Sequence, residues 1–230
     1  MDSNSSSEKR TALLPQREGG RQRVEALLKA ASDLIAERGY EATTMADIAA
    51  RADTRIGSLY RFFPGKDAIA DTLLQRHIKV LGDECGALEK RAENITPEDL
   101  ADLLLTLLVT LYPRIRSLPT LLSARTDRTE IRDRSRALAL DGIAGALRVC
   151  APRLDQETAR NIAAVILNNM KTMLGMTLGE VPATPGAPDE LQRMNRLYLS
   201  SRLTPYRDPP PAPGKPGPEK KNPRPEQQPA

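Results

Sequence analysis

Apolar positions recur along this chain with a helical period, and almost nowhere with the alternation of a strand. The first such segment runs from Arg21 to Arg38, where Val24, Leu27, Leu28, Ala31, Leu34 and Ile35 form one face. Gly39 stands where a helix ends. Thr44 and Asp47 then read as a capping box with Asp in place of the usual Glu, opening a short helix with Met45, Ile48 and Ala49 inward. Asp53-Thr54 breaks that helix. A third, Arg55 to Phe63, carries Leu59 and Phe63 on one face and stops at Pro64-Gly65. Lys66 begins a long helix to about Ala92. Pro97 opens the next, which should end at Tyr112 with Pro113 beyond it. Arg114 to Ser123 reads as a short helix interrupted by Pro119. Asp127 and Glu130 frame the start of a helix through Ile131, Leu138, Ile143 and Leu147 that Pro152 ends. Asp155 starts another, with Ile162, Val165, Ile166, Met170 and Met173 as its apolar set. The loop 179–188 holds three prolines, and a last helix spans about Asp189 to Leu203. The fold expected is all-α.

Composition divides the chain. Of 19 prolines, 10 fall in residues 205–230. A tail of that kind cannot bury enough apolar surface to offset its ordering entropy, so residues 204–230 read as disordered. Residues 1–20 are polar and read as a flexible segment without the apolar stretch of a signal peptide. The most apolar run, Leu100 to Tyr112, is too short to span a bilayer. Two cysteines make neither a disulfide framework nor a multi-ligand zinc site, and a cytoplasmic location follows as the expectation. One histidine, His77, leaves little room for metal binding or His-based catalysis and reads as a helix-surface or interdomain residue. No nucleophile–base pair, carboxylate pair or phosphate-cradling glycine loop is present, so no enzyme and no cofactor is expected.

The net charge is only +4, but its placement matters. Arg51, Arg55, Arg61 and Lys66 cluster in residues 50–66 against Asp53 alone. Three short helices around a tight turn, with basic residues on the last, have the spacing of a helix-turn-helix. The turn needs a left-handed residue, which Asp53 tolerates. Of seven aromatic residues, Tyr40, Tyr60, Phe62 and Phe63 lie in this module, whose small core needs bulk to close.

Residues 24–69 resemble the N-terminal domain of the tetracycline-repressor (TetR) family. The likeness rests on Gly39-Tyr-Glu-Ala-Thr-Thr-Met-Ala-Asp-Ile-Ala49 and Gly57-Ser-Leu-Tyr-Arg-Phe-Phe-Pro-Gly-Lys-Asp-Ala-Ile69. The resemblance implies a helix-turn-helix DNA-binding domain at 21–66. It implies a helical effector-binding and dimerisation domain at 67–203, joined to the first by the long helix. It also implies a homodimeric regulator, a repressor before an activator or architectural protein, released from a roughly palindromic operator by a small molecule. Thr44, Tyr60 and Lys66 match phosphate-contacting positions. Gly57, Ser58 and Arg61 lie on the face that meets base edges or adjacent backbone. Three residues depart from the family pattern: Asp53 replaces the usual turn glycine, Thr54 the usual Val, and Arg55 the usual Ser. Arg55 reads guanine or holds a phosphate, and Ile56 packs on a thymine methyl or belongs to the core. Tyr60 has the alternative of a partly buried core tyrosine.

For the effector site the candidates are Leu104, Leu108, Tyr112, Asn169, Met170 and Met173. Asn169 sits on an apolar stripe and either orients a ligand or bonds a neighbouring helix. Few aromatics outside the first domain favour an aliphatic ligand. For the dimer interface the candidates are Val165, Leu191, Met194, Leu197 and Tyr198. That stripe could equally cover the monomer's own core.

Overall fold

The computed structural model describes residues 17–124 and 129–207. Among them the chain folds into helices with no strand: α1 (Glu18–Arg38), α2 (Met45–Arg51), α3 (Ile56–Phe62), α4 (Lys66–Arg91), α5 (Pro97–Ile115), α6 (Leu118–Ser123), α7 (Thr129–Cys150), α8 (Gln156–Leu178) and α9 (Ala187–Leu203). The expectations for residues 1–16, for Asp127 and for residues 208–230 lie outside the described residues.

Two apolar cores organise these helices. The first joins α1, α2 and α3 to the opening turns of α4, through Leu27, Ile35, Ile48, Leu59, Phe63 and Ile69. It also takes in Leu111, Ile115, Leu118 and Leu121 from the end of α5 and from α6. The core of the first domain therefore continues past residue 66. The second core lies among α4, α5, α7, α8 and α9, with Leu88, Leu104, Leu147, Ile166 and Leu199 near its centre. α4 belongs to both. At 26 residues it is about 39 Å long at 1.5 Å per residue, enough to link one core to the other. Its C-terminal half lies very close to α7. A side chain at Gly142 would overlap Cys85 Sγ, and one at Gly145 would overlap the carboxylate of Glu89.

Several helix ends differ from the sequence reading. α1 starts at Glu18, so residues 18–20 are helical rather than part of a flexible arm. Glu18 suits the positive end of the helix and accepts from Arg21 at 2.5 Å. α5 runs through Pro113 to Ile115 instead of stopping at Tyr112. The missing N–H costs one helical bond, but burial of Leu111 and Ile115 in the first core holds the last turn. Pro119 begins α6 rather than interrupting it, standing in the first turn where no N–H partner is needed. On α5, Thr106 and Thr110 face solvent.

The described segment after α9, residues 204–207, is ordered. Thr204–Tyr206 forms a 3₁₀ turn. Arg153 donates to the carbonyls of Pro205 and Arg207, and Arg207 reaches the carbonyl of Ile95 at 2.7 Å. Proline richness alone suggested disorder from Thr204 onward; two arginines reaching backbone carbonyls overrule it here.

Candidate nucleic-acid interface

The local chemistry of α2, its turn and α3 explains why this module is rigid. The capping box forms as the sequence suggests. Thr44 Oγ1 accepts from the Asp47 N–H at 3.1 Å, and Asp47 accepts from the Thr44 N–H at 3.2 Å. The Thr44 hydroxyl, which also donates to the Asp47 carboxylate, and then the Thr44 N–H hold that carboxyl below the usual carboxylate range. At the other end, the Thr54 N–H donates to the Ala49 carbonyl and the Asp53 N–H to that of Ala50. This is the paired 6→1 and 5→2 bonding of a Schellman turn, which requires a left-handed residue at its corner. Asp53 fills that corner with φ +47°. Arg55 then caps α3 in extended conformation without a side-chain cap bond.

α3 buries Leu59 and Phe62 and presents the rest of its surface to solvent. Arg55, Ile56, Gly57, Tyr60 and Arg61 are exposed, and Ser58 is half-buried. Ile56 is 44% and Tyr60 52% exposed, so neither belongs to the core. The Arg55 side chain makes no hydrogen bond or ion pair among the described residues. The Arg61 guanidinium lies over the Phe62 ring, 4.8 Å from its centroid. Thr44 is exposed, but its hydroxyl already donates to Asp47 at 2.7 Å. Arg51 is tied to Glu37 on α1 by two bonds, at 2.9 and 3.2 Å.

Lys66 has a structural task that its place at a helix start does not suggest. Its ammonium donates to the carbonyls of Tyr40 and Glu41 at 2.8 and 3.2 Å and sits over the Tyr40 ring. It thereby ties the α1–α2 loop to the start of α4. A phosphate is therefore not needed to account for this cation. Tyr40 reinforces the joint by donating to Asp67 at 2.5 Å.

The six candidate ligand residues are not drawn into one cavity. Leu104 and Met170 are buried in the second core, with Leu108 and Met173 packed against it. Asn169 donates to the side chain of Asn195, a buried residue on α9, at 2.9 Å. Tyr112 instead lines a groove between α1, α4 and α5. His77, expected at a surface or between domains, is buried at 4% exposure. Its Nε2 lies 2.9 Å from Ser117 Oγ, which accepts from Ser32 at 3.0 Å. Burial, aided by neighbouring Arg76, pushes its pKa down to about 4. The polar partners Ser32 and Ser117 come from distant parts of the chain, so periodicity alone could not announce them.

The candidate dimer residues separate clearly. Val165, Met194 and Leu197 are exposed apolar side chains on α8 and α9, Leu197 at 68%. Leu191 is half-buried, and Tyr198 packs against the second core. Among the described residues no helix is long and apolar enough to cross a membrane, and no group of three His, Cys, Asp or Glu is placed to hold a metal ion.

Comparison with known proteins agrees with this geometry. Residues 27–73, from mid-α1 into α4, match the family described as bacterial regulatory proteins, tetR family. The HTH-type transcriptional repressor Rv3405c of Mycobacterium tuberculosis is 46% identical over 56 residues, which is 24% of this chain and 30% of that protein. The chain thus aligns with under a third of that relative's length. The HTH-type transcriptional repressor KstR of Rhodococcus jostii is 28% identical over 163 residues, covering 67% of this chain and 74% of that protein. In fold, a transcriptional regulator from Aquifex aeolicus VF5 superposes with a TM-score of 0.55 at 20% identity, over 78% of this chain and 98% of that one. Residues 27–73, which hold the capped α2, the left-handed turn at Asp53 and the exposed α3, are the part of the chain that is similar to the tetR family of bacterial regulatory proteins.

Proposed function

We propose that this protein is a ligand-responsive, cytoplasmic transcriptional repressor that binds operator DNA as a homodimer. The observation that carries the reading is α3. It is a short helix, anchored by Leu59 and Phe62, whose outer surface offers Arg55, Ile56, Gly57, Ser58, Tyr60 and Arg61 to a partner. A helix about 10–12 Å across fits the major groove of about 12 Å. On this reading Arg55 at the N-terminal end of α3 reads guanine, Ile56 meets a thymine methyl, and Tyr60 and Thr44 contact phosphate. The exposed apolar side chains of Val165, Met194 and Leu197 support pairing of two copies through α8 and α9. Two-fold pairing presents two α3 helices to a palindromic site.

The effector would act through α4, which contributes to both cores. Over about 39 Å, a tilt of about 5° moves one end by ~3 Å relative to the other. A working switch needs a coupling of about 1–3 kcal/mol, or 5–150-fold in DNA affinity. The test is selection of DNA fragments by the purified full chain, then binding across a salt series. A steep fall of affinity with salt is expected. Arg55→Ala should lose more affinity on the selected sequence than on random DNA. Absence of any salt-dependent DNA binding would reject the proposal, and an equal loss on both DNAs would make Arg55 a backbone contact.

A further inference from the structure

A groove of about 660 Å³ follows the seam where α1 meets α4 and the end of α5. Leu28 of α1, Leu73 and Val80 of α4 and Tyr112 of α5 give it an apolar lining. The paired Ser32, Ser117 and His77 lie beside them. Four cations border the groove, Lys29, Arg76, Arg114 and Arg116, against two acids, Glu25 and Asp33. Both acids are already engaged. Glu25 accepts two bonds from Arg76 at 2.6 Å, and Asp33 is shared by Lys29 and Arg116. Arg116 Nε is buried and has no acceptor among the described residues. A buried guanidinium N–H in that condition is an exception that calls for an explanation. Arg114 is itself paired with Glu84 of α4, so the groove combines apolar walls, one guanidinium N–H without an acceptor and a positive balance of one. An amphiphile with one carboxylate has the complementary chemistry.

We propose that this groove is a binding site for a small organic acid, its carboxylate on Arg116 and its hydrocarbon body along Leu28, Leu73 and Val80. The site differs from the interior of the second core, where Leu104 and Met170 are packed. It also suggests a route to regulation, which rests on the reading of the protein as a ligand-responsive DNA binder. One wall belongs to α1 of the DNA-binding domain and the other to α4 and α5. A molecule touching both favours one angle between them and disfavours the rest.

His77 supplies the readout, because it is the only histidine in the chain and borders the groove. Octanoate is titrated into the full chain while the His77 ring resonances are followed by NMR, with 1-octanol as the uncharged control. A saturable shift with octanoate is expected, with octanol binding much more weakly. Arg116→Gln should weaken octanoate by about ten-fold or more, as expected for loss of a charge-assisted bond. Glu25→Gln should tighten it several-fold by releasing Arg76. No saturable shift, equal binding of octanol, or unaltered octanoate affinity in Arg116→Gln would each overturn the site. Should Arg116→Gln fail to fold, octanol and Glu25→Gln still decide: unchanged affinity in Glu25→Gln overturns the charge assignment. DNA affinity is then measured at saturating octanoate. A filled groove with unchanged DNA affinity overturns the coupling alone, whereas a ligand-free protein that binds no DNA overturns the regulator reading and leaves the site standing.

Discussion

Acidification should loosen this protein through His77. The residue is 4% exposed, and burial pushes its pKa down to about 4 from an ordinary value near 6.5. The unfolded chain therefore takes up this proton between pH 6.5 and 4 while the folded chain resists it. Stability associated with neutral His77 is present above about pH 6.5 and falls as pH drops toward 4. The full difference, 2.5 units at 1.36 kcal/mol each, is about 3 kcal/mol, and about 2 kcal/mol of it is lost between pH 7 and 5. Groups around His77 include Arg76, Glu25, Asp33, Lys29 and Arg116. Arg76 keeps the Glu25 carboxyl below the ordinary range, so Glu25 titrates mostly beneath this window. The assay is urea unfolding of the wild type and His77→Gln at both pH values. Loss of the Ser117 bond affects the variant at either pH and cancels in the difference. The wild type should lose about 2 kcal/mol more than the variant on going from pH 7 to 5. Equal losses would refute the reasoning, as would a folded-state His77 resonance that titrates near 6.5.

Other outcomes follow from particular contacts. Gly39 has φ +88° and ψ 162°, a conformation open in practice only to glycine, so Gly39→Ala should lower stability by about 1–3 kcal/mol in chemical unfolding. Lys66→Ala removes two bonds to the Tyr40 and Glu41 carbonyls and should cost about 1–3 kcal/mol of stability; an unchanged unfolding midpoint would strip Lys66 of this role. If Lys66 also contacts phosphate, the same variant should flatten the salt dependence of DNA binding by about one unit of slope. Glu at both Met194 and Leu197 should give a folded monomer with weak DNA binding, checked by sedimentation; a wild type that is itself monomeric at micromolar concentration would end the dimer proposal.

What the sequence revealed and what it hid have physical causes. Signals carried by neighbours along the chain were legible. Thr44 and Asp47 are three residues apart, so their capping box could be read directly, as could the left-handed duty of Asp53. Contacts between distant residues were not. Lys66 meets carbonyls 25 and 26 residues away, and nothing near Lys66 in sequence marks those acceptors. His77 depends on Ser117, 40 residues on, and Asn169 on Asn195, 26 residues on. For Asn169 the alternative of a bond between helices was open from the start, and the structure realises that bond. Pro113 misled differently. Its local preference is to end a helix, but the apolar surface gained by Leu111 and Ile115 outweighs one missing bond. Of the candidate site, the exposed face of α3 was readable because Leu59 fixes which side turns inward. The groove was not, since three separate helices build it.

The anchoring of Arg207 determines how the molecule can be handled. Its bond to the Ile95 carbonyl places the end of the described fold just beyond the last turn of α4. The α3 surface adjoins the first turn of the same helix, about 39 Å away. A dye, surface tether or fusion partner joined downstream of Arg207 therefore starts at the opposite end of the long helix from α3. Immobilisation through that end should leave α3 facing free solution, whereas attachment before Glu18 starts from the helix whose C-terminal part packs on α2. For binding measurements on a surface, the C-terminal side is the one to choose.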